Sequence, residues 1–66
     1  MNTKRLQQFE KVRYVGENNK VPGIKYGVIG FILEVYDDGN YEVEFSDESG
    51  ITIAWQAFSG EDIEPA

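Results

Sequence analysis

The stretch EVYDDGNYEVEFSDESG, residues 34–50, constrains this chain more than any other, because hydrophobic and acidic residues alternate along it and each run ends in turn-forming residues. Asp37, Asp38 and Gly39 read as a three-residue hairpin loop, a type I turn closed by a glycine in the left-handed region. That loop predicts Tyr36 opposite Asn40 at its mouth, and behind them Val35 opposite Tyr41, Leu33 opposite Val43 and Phe31 opposite Phe45, three apolar pairs that face a core. On the outer face the same register sets Glu34 opposite Glu42 and Ile32 opposite Glu44. A slip of one residue would mix Glu34 with Val43, so the pattern selects its own register.

The flanks extend the β reading. FEKVRYV (9–15) alternates, with Val12 and Tyr14 on one face and Lys11 and Arg13 on the other, as in a half-exposed strand. GENNKVPGIKYG (16–27) is a long loop punctuated by Pro22 and Gly23. VIGFILEVY (28–36) is the most apolar segment and reads as a central strand, with Gly30 marking a bulge or sharp bend. DESG (47–50) turns the chain again, and ITIAWQAF (51–58) returns with Ile51, Ile53 and Trp55 at alternate positions. Ser59 followed by Asp62 has capping-box spacing for one helical turn. Ile63 then opens a short last strand ended by Pro65.

These elements predict an all-β fold, a small five-stranded SH3-like barrel with a long first loop and a single helical turn before the last strand. Residues 1–8 are read as a flexible tail and 9–66 as one domain. An OB-fold is the alternative, but it usually takes a longer chain and a helix between its third and fourth strands.

Size and composition narrow what such a domain does. A 66-residue chain buries only ~60% of the surface it exposes when unfolded, so most large apolar residues are needed for the fold. The chain contains no cysteine and no histidine, which removes disulfides, thiolate nucleophiles, the usual zinc ligands and the commonest general base. MNTKRLQQFEKV lacks the continuous apolar run of a signal peptide or membrane span, and the expectation is a cytoplasmic protein. All six cations fall within the first 25 residues, beside only Glu10 and Glu17, a net of +4. The remaining 41 residues carry ten acids and no cation. A surface this acidic repels phosphate backbones and argues against nucleic acid as a partner.

The polar clusters have ordinary explanations. Asp37, Asp38 and Asn40 offer hard oxygen ligands, but turn chemistry accounts for them and the loop is too short for an EF-hand. Paired carboxylates such as Glu34 opposite Glu42 can serve acid–base chemistry, but these lie on a convex, solvated face with no pocket to desolvate them. The serines have no histidine partner. GVIGF lacks the following helix and the lysine–serine pair of a phosphate-binding loop. Of Tyr14, Tyr26, Tyr36, Trp55 and Phe58, most are expected in the core and Tyr36 is expected to point outward. No catalytic, cofactor or metal site is expected.

The block GVIGFILEVYDDGNYEVEFSDESGITIA (27–54), extended by FEKVRYV upstream and EDIEP downstream, resembles a family of short bacterial proteins, common in cyanobacteria, known only as a domain of unknown function. The likeness lies in its Gly-x-x-Gly, Glu-Val-Tyr, Tyr-Glu-Val-Glu-Phe and Asp-x-x-Gly elements, while WQAFSG departs from the more usual leucine-rich form. The resemblance implies a small β barrel. Members often neighbour small toxin-like genes, which implies an antitoxin or immunity role. More distantly, the outline is similar to SH3-like peripheral subunits of photosynthetic electron-transfer complexes.

The functional expectation is a non-enzymatic, acidic protein–protein interaction module with a basic protein partner. Acids with no interspersed cation suit steering of such a partner better than solubility alone. The candidate contact residues are Ile32, Glu34, Tyr36, Glu42 and Glu44 on the outer face of the hairpin. The alternative is a small peripheral structural subunit of a larger electron-transfer or metabolic complex.

Overall fold

The computed structural model describes residues 6–66. Its strands are β1 (Lys11–Tyr14), β2 (Ile29–Val35), β3 (Asn40–Ser46), β4 (Thr52–Ser59) and β5 (Ile63–Pro65), with a 3₁₀ turn at Gly60–Asp62 before the last. The strands make one antiparallel sheet in the order β4-β3-β2-β1-β5, a meander whose last strand returns to the first. Strands β4 and β5 are its two edges, with no ladder joining them, so the sheet is not closed.

Local chemistry makes the turns as expected. Gly39 has φ 89°, and the Tyr36 amide donates to the Asn40 carbonyl at 3.0 Å, closing the three-residue loop. The Asp38 carboxylate accepts the Asn40 amide at 3.0 Å. Ser59 caps the 3₁₀ turn by accepting the Glu61 amide at 3.1 Å. The reciprocal arm of a capping box does not form, because Asp62 turns to Lys20 instead, 3.2 Å away.

The β2–β3 register differs from the expected one after its first pairs. Glu34 still faces Glu42 and Val35 still faces Tyr41, but a bulge then places Ile32 opposite Val43, Phe31 opposite Glu44 and Gly30 opposite Phe45. Leu33 is the extra residue. Its carbonyl accepts the side-chain amide of Gln8 at 3.0 Å, and the Ile32 carbonyl accepts the amide of Phe9 at 2.6 Å. Phe9 makes this contact with φ 69°, a conformation that is uncommon for a bulky residue.

Gly30 gives the reason for the shift. A Cβ there would lie 2.6 Å from both the Glu44 carbonyl oxygen and the Phe45 ring. Only a residue without a side chain lets the Phe45 ring cross β2 at that point. Gly30 therefore takes the inner position, and the bulge restores the hairpin's facing beyond it.

The consequence is a corrected core. Ile32, expected outside, is fully buried; Phe31 and Val35, expected inside, are about half exposed. Val43 and Phe45 are buried as expected, while Tyr41 is partly covered. Val12 and Tyr14 of β1, Phe58 of β4 and Ile63 of β5 complete the inner face, and Ile24 reaches in from the long loop. Tyr14, Phe45 and Phe58 pack edge to face in a triad, with centroids 4.9–6.1 Å apart, a geometry that adds about 0.5–1.5 kcal/mol per pair beyond burial. Ile51, Ile53 and Trp55, at alternate positions in the sequence, are all exposed. The bulge between Phe45 and Ser46 places Ala54, not Ile53, opposite Phe45. Of the five rings expected mostly inside, only Tyr14 and Phe58 are buried.

Of the tail expected over residues 1–8, the first five lie outside the described residues. Leu6 is 4% exposed and joins the core cluster, so the packed residues include one from the segment expected as tail.

Candidate functional site

The corrected register assembles a cross-strand row on the outer face. Lys11 pairs with Phe31, Phe31 with Glu44, and Glu44 with Trp55, across β1, β2, β3 and β4. Residues directly opposite in neighbouring strands share a face, so these four side chains lie side by side. Phe31 is 48% exposed and Trp55 61%. The next row is Glu34, Glu42 and Ala57. The outer face thus carries two large aromatic side chains, Phe31 on the central strand β2 and Trp55 on the edge strand β4, set among three carboxylates.

Each carboxylate is held differently. Glu42 accepts the Tyr36 hydroxyl at 2.9 Å, and Glu44 accepts the hydroxyl of Thr52. Glu34 lies opposite Glu42, where like charges oppose pairing, and the Tyr36 hydroxyl offsets part of that repulsion. The hydrogen bond to Glu42 raises the Tyr36 pKa above its ordinary value, with partial desolvation and the nearby carboxylates adding to it. The ion pairs among the described residues, Arg13 with Glu64 at 2.7 Å and Lys20 with Asp62 at 3.2 Å, lie at the β1–β5 edge and the long loop, away from these acids.

Of the expected contact residues, the structure brings Glu34, Glu42 and Glu44 together and ties Tyr36 to them. It removes Ile32, which is buried beneath the face. Phe31 and Trp55 take its place, and sequence reasoning had assigned both to the core. The signal that could have found them is Gly30. A glycine in an apolar strand one residue before Phe31 requires close approach by its partner, and Phe45 opposite Gly30 forces Phe31 outward.

A second feature is an open groove between residues 23–29 of the long loop and the turn at 46–49, where Lys25, Tyr26 and Ile53 face Asp47 and Glu48. Of its two acids, Asp47 is already engaged, accepting the amides of Ser49 at 2.8 Å and Ile51 at 3.0 Å. Among the described residues no three His, Cys, Asp or Glu side chains converge as a metal shell, and no helix is long and apolar enough to cross a membrane.

A family model described as a domain of unknown function, DUF4926, matches residues 15–65. No match was found among curated proteins or among solved structures.

Proposed function

The chain belongs to the DUF4926 family, and from that premise we propose that it is a non-enzymatic interaction module that docks a basic protein on the outer face of β2, β3 and β4. The observation that carries this reading is the row Phe31–Glu44–Trp55 across β2, β3 and β4. Interfaces draw most of their energy from a few central aromatic or arginine side chains, while surrounding charges set approach and specificity. Here Phe31 and Trp55 are the apolar centre, and Glu34, Glu42 and Glu44 are the charged surround. Ten acids without a cation after Lys25 extend the same field beyond the face.

In this reading the domain is an SH3-like small barrel acting in the cytoplasm. The meander with its last strand returning to the first supports that shape. An antitoxin or immunity role toward a small basic protein is the form that the resemblance implies. The absence of histidine and cysteine from the chain supports binding over catalysis.

The test starts from a protein captured from the native cell on the immobilised chain and then purified. Trp55→Ala should weaken its binding at least about tenfold, near 1.4 kcal/mol. Glu34→Lys with Glu42→Lys should slow association and flatten its salt dependence. Unchanged affinity and salt slope in both variants, with folding retained by circular dichroism, would overturn the reading.

A further inference from the structure

The two edges of the sheet are built differently. Strand β5 has three residues, Ile-Glu-Pro, and pairs Glu64 with Arg13. The Ala66 amide donates to the Lys11 carbonyl and the Val15 amide to the Asp62 carbonyl. This phase turns the backbone of Ile63 and Pro65 away from β1. Pro65 has no N–H to offer there, so the edge is blunt by shortness and by proline.

Strand β4 has none of these protections. It is the longest strand, eight residues reading TIAWQAFS, with no charged residue and no proline. The Gly60 amide donates to the Gly39 carbonyl at 3.1 Å, and the Tyr36 amide to the Asn40 carbonyl at 3.0 Å. Antiparallel alternation from these two bonds points the Gln56 and Phe58 backbones at β3. It leaves the N–H and C=O groups of Trp55 and Ala57 directed off the free edge. Among the described residues nothing pairs with them, and both residues are exposed. Edges of this kind are templates for strand addition.

We infer that the basic partner binds by adding an extended strand to β4, with lysine or arginine at alternate positions. This rests on the docking reading above and states how the partner engages. Charge complementarity selects the occupant. The added residue opposite Trp55 lies on the outer face, beside an exposed indole and in line with Glu44 one strand further in. The added residue two positions along, opposite Ala57, is in line with Glu42. A guanidinium at the first position stacks on the indole and reaches toward Glu44, and a cation at the second reaches across alanine toward Glu42. A second copy of this chain, with net charge −6, brings repulsion to the same edge.

The experiment adds an acetylated, amidated peptide of alternating arginine and threonine to the full chain and follows amide hydrogen exchange by NMR. At a peptide concentration ten times the measured Kd, exchange at the Trp55 and Ala57 amides should slow about tenfold, the factor that the bound fraction allows. The same peptide with glutamate for arginine should leave it unchanged. Shifts at the Phe31 and Trp55 side chains without slowed exchange at those amides would overturn strand addition and leave face docking standing. No response to the basic peptide would also overturn it, while face docking is judged separately on the captured partner. Slowed exchange in the chain alone, together with a dimeric mass in sedimentation, would overturn it in favour of self-pairing. Ala57→Pro removes an outward N–H and no bond to β3, and should lower peptide affinity at least tenfold. If that variant does not fold, the wild-type exchange pattern decides.

Discussion

Phe31 and Ile32 are adjacent, similarly apolar, and meet opposite environments. Ile32 is 0% exposed against Val43, whereas Phe31 stands beside Glu44 in water. Ile32→Ala should therefore cost about 2–5 kcal/mol in urea unfolding, the range for a buried aliphatic side chain whose cavity cannot fully collapse. Phe31→Ala should cost under about 1 kcal/mol, as for most surface changes. Equal costs would mean that the bulge is misplaced. The residues that make turns are equally individual in their reasons. Gly39 is needed for its positive φ, and Gly30 for the space that the Phe45 ring occupies.

At the scale of elements, the β2–β3 hairpin spends one residue, Leu33, on facing. The pairs Ile32–Val43 and Glu34–Glu42 lie on either side of it, so deleting Leu33 leaves both pairs in phase. We expect the deletion variant to fold with Phe31 still opposite Glu44, seen as cross-strand NOEs. It should lose about 1–3 kcal/mol, since Leu33 is half-buried and its carbonyl holds Gln8. NOEs between Phe31 and Phe45 would contradict this. Strand β4 repeats the lesson at its bulge beside Phe45, where Ile53 drops out of pairing and Trp55 is turned to the outer face. Both bulges act on the same face, and together they compose the aromatic row.

For the whole molecule, two side-chain polar contacts add to the buried Ile24 in tying the long loop to the rest of the fold. The buried Tyr14 hydroxyl donates to the Glu17 carbonyl at 2.8 Å, and Lys20 pairs with Asp62. Burial, with Asp62 adding, raises the Tyr14 pKa, and the hydrogen bond to Asp62 raises that of Lys20. A group whose folded pKa lies above its unfolded value contributes stability that is complete below the unfolded pKa. That contribution is lost as pH rises through the folded pKa. Both groups ordinarily titrate near or just above pH ~10, so unfolding midpoints should be flat around pH 8 and begin to fall above about pH 10. Tyr14→Phe should make that fall shallower while costing about 1 kcal/mol at neutral pH through the lost hydrogen bond. An unchanged slope in that variant would place the alkaline loss elsewhere.

What the sequence determined by itself is whatever depends on neighbours in the chain. The DDG and DESG turns, the capping serine, the short last strand and the alternation of Tyr41, Val43 and Phe45 all follow from local chemistry, and the five-strand count follows from them. Tertiary structure decided which alternate set faces the core wherever a bulge resets the phase. The period of a strand is local, but its facing depends on what occupies the far side. Phe45 over Gly30 turned Phe31 out and Ile32 in, and Ala54 opposite Phe45 turned Trp55 out. The carboxylates of the candidate face were legible because charge stays in water. Its aromatic centre was not, because an exposed phenylalanine or tryptophan reads as core until the sheet beneath it is shown to be full.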